Sequence, residues 1–115
     1  MREQRTGCVV TLHFDSAVPA EEDESFKLAE LIDKALASGL KHFVVSLAGV
    51  ESVKAIDLGV LKGRTEKCRE LGGELVVCRV QSEQVRRVFK LSGLDEFLTI
   101  RVSEADAAEY LDGRP

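Results

Sequence analysis

The sequence contains no tryptophan, one tyrosine and five phenylalanines. Platforms on which a nucleobase could stack are therefore scarce. It has three cysteines, Cys8, Cys68 and Cys78, with no C-x-x-C pair among them. An odd number without that spacing argues against a disulfide framework and against a zinc knuckle. Each lies in an apolar stretch, so the expectation is three reduced, buried thiols. The two histidines, His13 and His42, stand within or beside apolar β-type runs, where a structural role is the usual one. No phosphate-binding G-x-x-x-x-G-K-[ST], no H-E-x-x-H and no Ser/His/Asp spacing occurs. These absences leave little from which to build an enzyme, a metal site or a cofactor site, and none is expected.

Long apolar runs are also missing. Nothing approaches the ~20 residues that cross a bilayer, and residues 1–7 lack the apolar core of a signal peptide. The expectation is a cytoplasmic protein with no membrane insertion. Positive charge is in short supply as well. The formal net charge is −4 and the pI about 5.2, whereas nucleic-acid binding needs clustered Lys and Arg. The densest basic run, Arg86, Arg87 and Lys90, lies in an amphipathic segment and reads as a solvated helix face. A protein partner suits this surface better than a nucleic acid.

What is present is enough for one domain. The 115 residues are 44% hydrophobic and 31% charged with mixed signs, the profile of a folded chain and not of a disordered one. No repeat, low-complexity stretch or linker divides them, so residues 1–115 read as a single unit. Cys8-Val-Val-Thr-Leu-His-Phe14 reads as a strand, with a short edge strand possible before it. The polar connection from Asp15 to Ser25 holds Pro19 and the acids Glu21, Glu22, Asp23 and Glu24. Acids favour the positive end of a helix, so the cluster marks a helix start; a metal site is the sharper alternative. Leu28, Leu31, Ile32, Ala35 and Leu36 then recur at helical spacing, and Gly39 stops the helix.

His42-Phe-Val-Val-Ser-Leu47 is nearly all apolar, as strands covered on both faces are. A loop from Ala48 to Ile56 follows, with Asp57 as N-cap of a second helix. Leu58, Leu61, Thr65 and Cys68 form its buried face, and Gly72-Gly73 breaks it. Glu74 to Val80 is the next strand. Ser82 caps a third helix that buries Val85, Val88 and Phe89 and ends at Gly93. Phe97 to Val102 is the last strand. Ser103-Glu-Ala-Asp106 approximates a capping box before a short helix to Leu111. Strand–helix–strand repeats of this length imply parallel pairs with right-handed crossovers. The expected architecture is α/β: a small mixed, mostly parallel sheet of four or five strands with about four helices.

Five pieces, in order, resemble the STAS domain, and within it the bacterial anti-sigma factor antagonists. They are Val44-Val-Ser-Leu-Ala-Gly-Val50, Leu58-Gly-Val-Leu61, Leu71-Gly-Gly-Glu-Leu-Val-Val-Cys78, Val85-Arg-Arg-Val-Phe-Lys-Leu-Ser-Gly-Leu94, and Ser103 to Leu111. The resemblance spans about the last two-thirds of the chain. It implies a STAS-like fold and a regulatory role: the antagonist binds an anti-sigma factor, a kinase-fold protein, and frees a sigma factor for transcription. In such antagonists the loop before the second helix reads D-S-S-G or D-S/T-x-G, and phosphorylation of the second hydroxyl residue abolishes binding.

Here the aligned residues are Lys54-Ala55-Ile56-Asp57, and Ile56 offers no oxygen to a phosphoryl group. Ser52 and Thr65 are weak substitutes, Ser52 as an alternate site nearby and Thr65 on the buried helix face. Asp57 reads either as a plain cap or as a fixed charge that partly imitates a phosphate. Ile56 either packs inward or stands out as a contact anchor. The expected partner-binding residues are Val53, Lys54, Ala55, Ile56, Asp57 and Leu58. The leading function is a non-catalytic binding module acting on an anti-sigma factor or related kinase-fold protein. The alternatives are a STAS accessory or scaffold subunit, as in a lipid-transport or signalling complex, and a nucleotide- or lipid-binding module. The sequence leaves the oligomeric state open.

Overall fold

A computed structural model describes residues 2–6, 9–13, 24–50 and 53–112. Cys8, Phe14, Pro19, Glu21, Glu22, Asp23 and Ser52 lie outside the described residues. Five strands form one sheet: β1 (Arg2–Thr6), β2 (Val9–His13), β3 (His42–Ser46), β4 (Glu74–Cys78) and β5 (Thr99–Arg101). Five helices accompany them: α1 (Glu24–Ala37), α2 (Ala55–Glu70), α3 (Glu83–Ser92), α4 (Leu94–Phe97) and α5 (Glu104–Asp112). The strand order in space is the order in sequence. β1 pairs antiparallel with β2, and β2 through β5 are parallel.

That order decides where the helices lie. Each crossover steps one strand in the same direction, and right-handed connections then place every crossover helix on one face. The packing shows this. Val10, Leu12, Phe43, Val45, Leu75 and Val77 share one apolar cluster with residues of α1, α2, α3 and α4. The alternate positions Val9, Val44, Val76 and Cys78 form a second apolar cluster with Ala107, Leu111 and Tyr110 of α5. A strand sends successive side chains to opposite faces. Both faces are therefore covered along β3 and β4, and all five residues of each are buried.

Several details differ from the sequence reading: β3 ends at Ser46 and not Leu47, and β4 at Cys78 and not Val80. The second helix starts two residues earlier than Asp57, with Lys54 at its N-cap. The last strand is shorter, because Leu94–Phe97 forms a single helical turn after Gly93, whose φ of 77° lets the chain leave α3 sharply. Phe97 therefore closes a helix and does not open a strand. Its apolar side chain satisfied either pattern locally. The third helix buries Val85 and Phe89 as expected, whereas Val88 is only half-buried. Gly73 has a tighter requirement: a Cβ there would lie 2.0 Å from the Lys41 carbonyl oxygen. Any other residue would push the turn between α2 and β4 away from the start of β3.

Cys68 and Cys78 are free and buried. Burial, with the nearby Glu74 carboxylate, raises the Cys68 thiol to about 12. Burial, with Glu104, raises Cys78 to about 11. Neither supplies a thiolate at neutral pH, which agrees with the reading of these two as inert core thiols. Glu74 is itself buried, at the joint of α2, β4 and β5. It accepts hydrogen bonds from Arg69 Nε at 3.0 Å and from the Leu75 amide at 3.1 Å. Arg69 also donates to the Phe97 carbonyl at 2.7 Å and lies 4.7 Å from the Phe97 ring centre. A carboxylate this buried is tolerated because it is paired and hydrogen-bonded.

Candidate docking site at the start of the second helix

The first turn of α2 carries the residues singled out in the sequence. Lys54 is extended, at φ −100° and ψ 166°, and makes no side-chain cap. Asp57, the third helical residue, reaches back and accepts a hydrogen bond from the Lys54 amide at 2.7 Å. This closes one side of a capping box only, since an ammonium has no lone pair to offer the helix. The N-cap assignment of Asp57 is therefore corrected: it caps from inside the helix. Its charge still lies at the positive end of the helix dipole, where a carboxylate is favourable.

The six expected contact residues divide into two sets. Val53 and Leu58 are partly buried and pack on the main core. Asp57 is half-buried. Lys54, Ala55 and Ile56 are exposed, and Ile56 keeps 38% of its surface. The inward-packing reading of Ile56 is thereby excluded. Val53 and Leu58 pin the turn to the core while the three residues between them project outward.

Two glycines continue the outward surface. Gly59 and Gly63 lie three and seven residues after Ile56, on the same side of the helix. A Cβ at either would meet nothing within 4 Å. Glycine inside a helix costs about 1 kcal/mol relative to alanine, and no internal contact here requires it. The effect is a bare strip of backbone beside Ile56. The sequence reading placed Gly59 in the Leu58-Gly-Val-Leu61 piece and did not mention Gly63; neither was read as surface, although two glycines inside a helical pattern were a visible signal.

Among the described residues no hydroxyl group stands on this surface. Thr65 is fully buried, and its hydroxyl donates to the Leu61 carbonyl at 2.7 Å. His42 is buried at the start of β3, and His13 ends β2 with Nε2 3.2 Å from Gln4 Oε1. Among the described residues no group of three or more His, Cys, Asp or Glu could hold a metal ion. No helix among them is long and apolar enough to cross a membrane.

The pattern that defines the STAS domain matches residues 1–107. The chain belongs to the STAS domain family. This STAS domain is 33% identical over 72 residues to an anti-sigma F factor antagonist of Paenibacillus polymyxa, a stretch covering 63% of this chain and 61% of that protein. The match thus spans less than two-thirds of that relative's length. A Thermotoga maritima protein solved by NMR superposes with a TM-score of 0.81 at 25% identity, covering 97% of this chain and 88% of that one. The Bacillus cell fate determinant SpoIIAA in its phosphorylated form superposes with a TM-score of 0.66 at 16% identity, covering 95% and 96%. The last comparison shows the shared fold alone. The α/β expectation holds in all its parts, with the single-turn α4 as the added helix.

Proposed function

We propose that this STAS domain is a non-catalytic regulatory module of the anti-sigma factor antagonist type, and that it binds an anti-sigma factor or a related kinase-fold protein in the cytoplasm. The docking surface is the start of α2, from Lys54 to Asp57, continued by the open strip at Gly59 and Gly63. In this reading the usual phosphoryl switch is missing. Residue 56 stands at the exposed helix start but carries only hydrocarbon, so a kinase partner has nothing there to modify. Asp57 adds one fixed negative charge, less than the roughly −1.5 to −2 of a phosphate, and it is held by the Lys54 amide. The module therefore docks constitutively, or under a signal other than phosphorylation of this turn.

The observation that carries the reading is the exposure of Ile56 on a helix start whose neighbours Val53 and Leu58 are anchored in the core. Apolar residues exposed beside charges and on a rigid element are the usual anchors of protein interfaces. The test uses an anti-sigma factor encoded beside this protein as bait, with affinity read by calorimetry. Ile56→Asp is expected to weaken the complex at least ten-fold. Unchanged affinity would remove this turn from the interface. Incubation with the partner and ATP should leave residue 56 unmodified, whereas Ile56→Ser should accept phosphate and then lose affinity.

A further inference from the structure

A cleft of about 630 Å³ opens between α3 and the edge strand β5, away from the docking turn. It lies at the carboxyl ends of β4 and β5, where open parallel sheets most often hold ligands. Val80 and Phe89 form a buried apolar floor, and the exposed Ile100 and Val102 form an apolar wall. The chain leaves β4 through Arg79 at φ 55°, a left-handed conformation that non-glycine residues rarely hold.

The charge of the lining is opposite to that of the chain. Arg79, Arg86, Lys90 and Arg101 contribute four positive charges against the single carboxylate of Asp95, in a protein of net charge −4. Two of the four are already neutralised. Arg79 Nε bonds Glu104 Oε2 at 2.7 Å, and Arg101 holds both carboxylate oxygens of Asp106 at 3.0 Å. Arg86 and Lys90 have no ion-pair partner among the described residues. They stand one turn apart on the exposed side of α3. Arg86 Nε donates to the Val80 carbonyl at 2.8 Å, which fixes the guanidinium at the mouth of the cleft. A guanidinium so placed keeps its remaining N–H donors for an anion.

We propose that this cleft binds a small amphipathic anion: an apolar body lying on Val80, Phe89, Ile100 and Val102, with one carboxylate or phosphate head held by Arg86 and Lys90. The volume falls in the range of small-molecule sites, about 300–1,000 Å³. A neutral molecule of the same shape leaves the two cations unanswered, and a fully polar anion leaves the apolar wall bare. The site shares no residue with positions 53–58, so it stands or falls apart from the docking surface.

The test is a titration of the 15N-labelled full chain with decanoate, decyl phosphate and decanol, each below its micelle concentration. Saturable amide shifts are expected at residues 86–90 and 100–102 with one or both anions, and decanol should bind at least ten-fold more weakly. The tighter anion identifies the head group. The double variant Arg86→Gln, Lys90→Gln should lose at least ten-fold in anion affinity while remaining folded, its melting temperature lowered only by the loss of the hydrogen bond from Arg86 to the Val80 carbonyl. Val102→Asp, at the equally exposed wall, should lose as much. Equal binding of decanol, no saturable shift with either anion, or shifts centred on residues 53–58 would each overturn the proposal.

Discussion

Helices α2 and α5 both start at the carboxyl end of the sheet, yet their first turns are built differently. At α5, Ser103 Oγ accepts the Asp106 amide at 3.1 Å, and Asp106 accepts the Val102 amide at 3.2 Å while gripping Arg101. Glu104 adds bonds to Ser46 Oγ, at 3.1 Å, and to Arg79. At α2, a lysine occupies the cap position, one carboxylate returns one bond, and an isoleucine and two glycines face solvent. One start is closed with polar partners, and the other is left open. The polar bonds at the closed start tie α5 onto the second face of the sheet. The α2 turn gives up capping and helix propensity in exchange for an accessible surface, a pattern expected where function competes with local preference.

That contrast can be broken most forcefully at Ile56. Ile56→Asp is expected to lower partner affinity at least ten-fold, about 1.4 kcal/mol or more. Its urea midpoint should stay near that of the parent, because the side chain is exposed. A large loss of stability would mean that the turn is structural after all. Next in size, Ser103→Ala should cost about 1 kcal/mol of stability, the usual worth of a hydroxyl N-cap, measured by chemical denaturation. Partner affinity should not move.

Gly63→Ala tests the open strip from the opposite direction. It should stabilise the free chain by up to about 1 kcal/mol, since a methyl meets nothing within 4 Å, while weakening the complex. Both quantities improving together would remove the strip from the interface. A smaller gain, about 0.5 kcal/mol, is expected for Lys54→Ser, which supplies the cap that α2 lacks. The same change at a well-capped start would gain nothing.

The smallest effect is a pH dependence. Asp106 is held below its ordinary value by its hydrogen bond with Arg101 and by the Val102 amide. For Glu104, burial alone would act upward, but the bonds from Arg79 and Ser46 outweigh it and hold the carboxyl below its ordinary 4.5. Both folded values are depressed, so the unfolded chain binds protons first on acidification. Their contribution is full above the ordinary carboxylate range and fades as pH falls through the folded values. Glu104→Gln should therefore give a shallower loss of stability below about pH 4.5, followed by urea midpoint against pH. An unaltered acid limb would separate Glu104 from the closure of α5.

Much of the fold was legible because its signals are local. His42–Ser46 and Glu74–Cys78 are short apolar runs between turn residues, Ser82 and Gly93 bracket α3, and Leu61, Thr65 and Cys68 repeat at helical spacing. The same pattern misled at Phe97, where one apolar residue served a helical turn or a strand equally well. It also misplaced the start of α2, because Asp57 has the chemistry of an N-cap and caps from the third position instead. At the candidate site the sequence supplied the residues, including the missing hydroxyl at Ile56. It did not supply which of them face outward.

By itself the sequence determined the alternation of strands and helices, the buried faces, and the lack of an oxygen nucleophile at position 56, since each follows from residue type and spacing along the chain. Only the tertiary structure decided that Ile56 is exposed, that Lys54 gives α2 no side-chain cap, and that Arg79 and Arg101 are ion-paired while Arg86 and Lys90 have no such partner among the described residues. Exposure and ion pairing depend on residues distant in sequence, as Glu104 meeting Arg79 and Ser46 across the end of the sheet demonstrates.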